Sequence, residues 1–337
     1  MTLVLRPAQQ TDIESIHQLA LECGVGLTTL SKDINTLKQS ISLSVDSFSR
    51  VVTSPFSEYY LFVLEDTRSK DIVGTSAIKA SLGHASPSYS YKVIHRTRMS
   101  HDLGVRSEQT WLMLVNDFHQ KSELCTLYLR PDFRHSHHGA FLSRARFLYM
   151  ADQPSRFESR IIAELRGVSD GNNQSPFWNS VGQHFFQIPF DEADALTTST
   201  NKQFIADLIP EHPISVQLLD KKAQDVIGIP HARTVPAMNI LLNEGFQYIN
   251  NVDIFDAGPI IEALRDNIRT IRTSSRVTVI GMMDEADTSK FIVSTTGHSF
   301  RACIGSIQIH ENGAVVAKQL ADLLHIKLGD EIRYAKL

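Results

Sequence analysis

SELCTLYLRPDFRHSHHGAFLSRARFLYMA, residues 122–151, places an apolar run, a basic loop and a helical pattern in direct succession. Residues 124–129 form an apolar run with strand character. Arg130-Pro131-Asp132 ends it, because proline lacks the N–H that a ladder needs. A basic loop follows from Arg134 to Gly139, and a helix starts near Gly139, with Phe141, Leu142, Ala145, Leu148 and Tyr149 at helical spacing. Strand, basic loop and helix N-terminus together suit phosphate oxygens, since free backbone N–H groups and the helix dipole both face the loop. Arg134, Ser136, His138, Gly139 and Ala140 are the expected contacts. A wet, basic loop in any α/β protein would look much the same.

Beyond this helix, residues 160–167 read as a second buried strand. It is expected to lie parallel to 124–129, joined through the helix by a right-handed crossover. Upstream lie a short strand (3–8), a helix after Thr11-Asp12, a helix over 33–48, and strands over 59–65 and 72–79. Residues 80–120 hold one or two strands, including 110–115. Downstream, Ser175-Pro176 opens a short helix and 184–190 is strand-like. Residues 191–235 form a polar insertion with helices at 202–209 and 212–219. A helix over 236–244 ends at Gly245, a strand covers 247–255, and 260–271 reads as a charged helix suited to a linker. From Ser275 the pattern turns to strands (276–280, 291–295, 301–310, 330–335) with one short helix at 318–324. The expected organisation is therefore a main domain over 1–272 and a small β-rich appendage over 275–337.

Composition narrows the function. A net charge of −4 and a pI near 6.4 lack the basic footprint of a nucleic-acid binder. No run of about 18 apolar residues exists to span a membrane, and no signal peptide opens the chain. Three widely spaced cysteines, Cys23, Cys125 and Cys303, fit reduced thiols in the cytoplasm. Cys125, within the apolar strand, reads as buried and inert. His135, His137 and His138 lack a carboxylate or cysteine at ligand spacing, so no metal is expected there.

The strand–loop–helix unit resembles the pyrophosphate site of GNAT acyl-CoA N-acyltransferases, whose loop reads Arg/Gln-x-x-Gly-x-Gly/Ala. Arg134-x-x-His137-x-Gly139 keeps two of the three positions, with His137 where the first glycine is expected. Longer words are similar to one family, bacterial arginine N-succinyltransferase. They are GLTTL at 26–30, FVLED at 62–66, SELCTL at 122–127, AELRGV at 163–168, SPFW at 175–178, EHPI at 211–214, AQDVIG at 223–228 and VDIFDAGP at 252–259. The C-terminal segment resembles the family's only loosely.

The resemblance implies an α+β fold: a GNAT-like core of mixed sheet flanked by helices, with a helical insertion and the β-rich appendage. It implies transfer of succinyl from succinyl-CoA, a co-substrate, to the α-amino group of L-arginine, with no prosthetic group. Leu127 matches the family's succinyl-CoA contact, and His231 matches its proton-transfer residue. An amine needs a lost proton and a polarised thioester carbonyl before it can attack, and histidine titrates in the right range for proton transfer. Whether His231 serves as base or acid is open at this point. The arginine guanidinium needs a carboxylate, with Glu123, Glu164, Asp225 and Asp253 as candidates. The succinyl carboxylate needs a cation, with Arg166, Arg233 and Lys92 as candidates. Other readings are an acyltransferase for ornithine or another acyl donor, and a non-catalytic acyl-CoA or arginine binder. The insertion and appendage are candidate contacts between copies of the chain.

Overall fold

The computed structural model describes residues 3–24, 27–84, 86–170, 174–190, 192–193, 196, 203–284, 290–297 and 299–337. Its first half holds strands β1 (Leu3–Pro7), β2 (Tyr59–Asp66), β3 (Ile72–Lys79), β4 (Ser90–Ser100), β5 (Val105–Val115), β6 (Ser122–Leu129) and β7 (Arg160–Glu164). Then come β8 (Ile214–Ser215), β9 (Gln247–Val252) and β10 (Pro259–Leu264). The C-terminal strands are β11 (Ser275–Met283), β12 (Lys290–Thr295), β13 (Ala302–His310), β14 (Gly313–Ala317) and β15 (Glu331–Lys336). Three helices matter most for the site: α1 (Ile13–Glu22), α2 (Ile34–Ser49) and α3 (His138–Asp152).

The central sheet runs β1-β2-β3-β6-β7-β10-β9-β4-β5-β8. The β6–β7 pair is parallel and its neighbours on both sides are antiparallel, so the mixed α+β sheet expected from the sequence is present. The C-terminal strands continue the sheet, because β13 pairs with β1 at Val4↔Cys303 and Leu5↔Ala302. There β13, β12, β15, β11 and β14 pair in a closed ring.

One face of the sheet packs against α3, whose Phe141, Leu142, Ala145, Phe147, Leu148 and Met150 are fully buried. The other face packs against α1 and α2 through Ile16, Leu19, Leu37 and Ile41, which meet Leu61, Val63, Ala77 and Cys125. A third cluster surrounds Trp178, whose ring stacks on Phe186 and Phe255.

Three expected elements are otherwise. Residues 184–190 are not a strand, since Gly182–Phe186 is a helical turn. The alternation of Phe186, Ile188 and Phe190 that mimics a strand comes from packing around Trp178. Residues 212–219 are not a helix. Ile214–Ser215 adds an edge strand beside β5, and Val216–Leu218 is a single 3-10 turn. Residues 260–271 are not a charged linker helix, because Pro259–Leu264 is β10, paired on both sides. Its charge, Glu262, is tolerated in the sheet because Lys121 and Arg160 both pair with it. The helix expected at 202–209 is seen as Gln203–Leu208, and Lys202 lies outside the described residues, as does much of the insertion near it. The one or two strands expected within 80–120 are the two arms of one long hairpin over 90–115, in register from Ser90↔Val115 to Ser100↔Val105.

β6 is not regular. Thr75 pairs with Tyr128 and Ala77 with Cys125, so Thr126 and Leu127 together face one residue of β3, a β-bulge. Thr126 has φ +56°, a left-handed value costly for a β-branched residue. Four groups hold it there. Thr126 N–H donates to Thr29 Oγ1 (3.1 Å), and Thr126 C=O accepts from Thr75 Oγ1 (3.0 Å). Tyr59 Oη lies 3.0 Å from Thr126 Oγ1. From beneath, Arg146 of α3, 1% exposed, donates to the carbonyls of Ala77 (3.1 Å) and Cys125 (3.4 Å). Burial brings the Arg146 guanidinium down to about 10, which still leaves it charged at neutral pH. Replacing Arg146 with Met keeps the stem and removes the donors. The unfolding free energy should fall by about 2 kcal/mol in urea denaturation; an unchanged midpoint would show that the bulge does not depend on it.

Candidate active site

The two parallel strands β6 and β7 pair only at Ser122↔Ile161 and Glu123↔Ile162. Beyond Glu123 they diverge, and among the described residues no strand pairs with β6 on that side. The result is a wedge, with the bulge at Thr126–Leu127 on one wall. A row of backbone groups that lacks a strand partner can accept an extended ligand as a further strand. Leu127 is half-buried there and packs its side chain on the α3 core.

The wedge opens toward the loop before α3. Ser136 and His137 both take left-handed backbone, with φ +50° and +66°. His137 occupies the N-cap of α3, which explains why the related loops carry glycine there. Glycine reaches this conformation freely and histidine pays about 1 kcal/mol. The N–H groups of Ser136, His137, Gly139 and Ala140 have no hydrogen-bond partner among the described residues. A Cβ at Gly139 would meet no atom within 4 Å, so the space beside it is open. Arg134 is exposed, anchored by Nε to Leu129 C=O (2.8 Å) over the Tyr128 ring. His138 Nδ1 sits 3.1 Å from Phe133 C=O, and burial lowers its pKa. The expected phosphate contacts thus share one exposed turn at the head of a fifteen-residue helix.

The opposite wall is the extension of β7 through Leu165, Arg166 and Gly167. Here the chain crosses the 256–258 turn so closely that a Cβ on Gly167 would lie 2.3 Å from Asp256 O, and one on Gly258 2.0 Å from Leu165 O. Asp256 ties the crossing, accepting from Gly167 N–H (2.7 Å) and Gly258 N–H (2.8 Å). Onto this extension the His231 loop is pinned: His231 N–H donates to Arg166 C=O (2.8 Å), and Gly167 pairs with Pro230. His231 therefore sits at the divergent end of the wedge, far in sequence from Leu127.

The ring of His231 is oriented by its own loop. Arg233 N–H donates to His231 Nδ1 (3.1 Å), so in the neutral ring the proton is on Nε2. Burial lowers the His231 pKa, and the charges of Arg166 and Arg233 lower it further. Because the folded state resists protonation, this group costs the fold stability only as pH falls below about 6.5 and costs nothing above it.

The carboxylates considered for the guanidinium are largely engaged. Glu123 pairs with Lys79 (2.7 Å) and Asp225 with Lys221 (2.7 Å), while Asp253 accepts from Phe255 N–H and Asp256 N–H. Glu164 is exposed on the wedge strand, within electrostatic reach of Lys79. Two surface hollows of about 240 Å³ lie elsewhere, one beside Glu14 and Arg130 and one beside Arg96 and Trp111. Thr29, Thr75, Arg146 and Asp256 escaped the sequence reading. Thr29 and Asp256 left a trace there only within the words at 26–30 and 252–259, and Arg146 as a charge inside the apolar run of α3.

A splayed parallel pair with a bulge on one strand and an open helix N-terminus after it defines a GNAT-like acyl-CoA N-acyltransferase. The sequence profile described as arginine N-succinyltransferase beta subunit matches residues 3–270, and that of its C-terminal domain matches 275–336. The chain belongs to the arginine N-succinyltransferase family. It is 38% identical over 338 residues to the arginine N-succinyltransferase of Photorhabdus laumondii, covering 99% of this chain and 98% of that one. It is 37% identical over 343 residues to that of Yersinia pestis, covering 99% and 97%. The solved arginine/ornithine succinyltransferase subunit AI of Pseudomonas aeruginosa superposes with a TM-score of 0.90 at 33% identity, covering 99% of this chain and 98% of that one.

In long-range ¹H–¹⁵N spectra His231 should show a bare Nδ1 at neutral pH and a titration midpoint below about 6.5. A proton on Nδ1, or a midpoint above that value, would contradict the loop geometry.

Proposed function

We propose that this chain transfers succinyl from succinyl-CoA to the α-amino group of L-arginine, giving N2-succinyl-L-arginine and CoA. The observation that carries the reading is the pinning of His231 to Arg166 C=O, which sets a neutral imidazole across the wedge from the bulge at Leu127. The full-length relatives named for this reaction support the choice of substrates.

Succinyl-CoA lies with its pyrophosphate on the turn from Arg134 to Ala140. The N–H groups of Ser136, Gly139 and Ala140 and the dipole of α3 meet the anion there. Its pantetheine arm runs along the unpaired edge of β6, and the thioester carbonyl comes to the bulge, where backbone at Leu127 polarises it. The amine nitrogen attacks the carbonyl carbon, the C–S bond breaks, and sulfur leaves with the electron pair. With Nδ1 occupied by the Arg233 N–H, the nitrogen His231 presents is Nε2–H. That favours hydrogen-bond donation from Nε2–H to the departing sulfur, while the proton shed by the attacking amine ends on that sulfur, so the products are the amide and the CoA thiol. The free thiols of Cys23, Cys125 and Cys303 support a cytoplasmic setting. The solved Pseudomonas aeruginosa relative is a subunit, which supports an oligomer here.

Purified protein given succinyl-CoA and L-arginine should release free thiol faster than with acetyl-CoA or L-ornithine. His231→Ala should lower kcat by about 100-fold or more while leaving CoA affinity unchanged in calorimetry. Release with ornithine matching that with arginine would move the acceptor assignment. Gly139→Asp tests the phosphate turn separately. Its side chain meets open space, so the melting temperature should hold while CoA affinity falls about tenfold from charge repulsion. Undiminished affinity would place the pyrophosphate elsewhere.

A further inference from the structure

Three cations compete in the sequence for a substrate carboxylate, and the structure separates them. Lys92 commits its ammonium to Ile249 C=O and Asn251 Oδ1, each at 2.8 Å. Arg233 is exposed on the loop beside His231. Arg166 is half-buried and belongs to the wall of the wedge itself.

Several features locate the Arg166 side chain. Parallel pairing sets Ser122 against Ile161 and Glu123 against Ile162. Continued at that offset, with the bulge absorbing one residue, Arg166 comes level with Leu127 and Tyr128. Ala163 and Leu165 point into the α3 core, so strand alternation turns Arg166 to the opposite face, with α1 and its C-terminal Cys23. Its charge reaches both neighbours expected there. It works against the upward push that burial gives the Cys23 thiol, and it adds to the downward push on His231. The backbone of Arg166 cannot drift, because it holds His231 N–H and precedes the Gly167–Gly258 crossing. Its Nη2 donates to Ser169 Oγ (2.8 Å), which orients the guanidinium.

We propose that Arg166 binds a substrate carboxylate beside the thioester carbonyl. This deepens the acyl-transfer reading above and rests on it. Two carboxylates lie a few bonds from the reacting atoms when succinyl-CoA meets arginine: the distal one of the succinyl group and the α-carboxylate of the acceptor. A guanidinium is a planar fork of donors that fits either of them bidentately. Held half out of water, such a pair is stronger than at an open surface.

Full-length wild type, Arg166→Met and Arg166→Lys would be compared by calorimetry and by thiol release. The donors are succinyl-CoA and butyryl-CoA, which match in length and differ in the distal carboxylate. The acceptors are L-arginine and L-arginine amide, which differ in the α-carboxylate. If the donor carboxylate is the ligand, wild type should bind succinyl-CoA about tenfold or more tighter than butyryl-CoA. Arg166→Met should bind the two alike, and Arg166→Lys should recover part of the difference. If the acceptor carboxylate is the ligand, Arg166→Met should instead erase the preference for arginine over its amide, raising KM for arginine while leaving the donor preference intact. Either selective loss supports the proposal. Donor and acceptor preferences both unchanged in a folded Arg166→Met would overturn it. Should that variant not fold, Arg166→Gln carries the same comparison. Absence of thiol release by wild type with every pair would count against the arginine reading, and calorimetry of both comparisons, succinyl-CoA against butyryl-CoA and L-arginine against its amide, would still decide on Arg166.

Discussion

Everything at this site depends on one defect in one strand. β6 cannot remain paired to β7 and also present its edge to a ligand, and the bulge at Thr126–Leu127 is where the two demands are reconciled. A bulge raises the local twist and bends the strand, which turns β6 away from its parallel neighbour. Left alone it would strand polar groups inside a core. Here Thr29 and Thr75 satisfy the Thr126 peptide groups, and the buried Arg146 guanidinium supplies donors to the carbonyls beside it. A buried charge without a carboxylate is costly. Carbonyl and hydroxyl oxygens surround this one instead, with Ser143 completing the set.

The second wall of the wedge is built by a different device. The turn from Asp253 to Gly258 folds on itself through the Asp253 and Asp256 carboxylates. Asp256 also grips Gly167, and Ala257 C=O accepts from Gly228 N–H. One turn thus fixes both the strand that carries Arg166 and the loop that leads to His231. That is a physical reason for the dense word at 252–259: carboxylates to close the turn, and a glycine where backbone meets backbone. The histidine is placed by main-chain bonds on both sides, so its orientation does not depend on a third side chain.

Much of the layout was readable as a sequence. Apolar runs at 59–65, 72–79 and 124–129 mark strands because each is buried on both faces. The helix from the basic loop shows itself by periodicity, and Pro131 marks the break before it. The errors arose where short-range pattern and long-range packing disagree. Phe186, Ile188 and Phe190 alternate like a strand, yet they wrap Trp178. Ile260 to Leu264 carries charge like an exposed helix, yet Glu262 finds two cations across the sheet. His137 looks like a damaged motif. The backbone shows instead that the position requires a left-handed residue, which histidine can supply at a cost.

By itself, then, the sequence determined the class of fold, the strand–loop–helix unit and, through its long words, the family. Those features are local: burial period, a proline stop, a helix start, and runs of residues that can be compared one by one. Only the tertiary structure decided that β6 and β7 part after Glu123, that Arg146 reaches the bulge, and that the His231 loop is pinned to the Arg166 carbonyl. These relations join residues far apart in the chain, 21 positions for Arg146 and Cys125, through side-chain and backbone hydrogen bonds and strand register, and a one-dimensional pattern carries no record of which carbonyl a distant N–H will find.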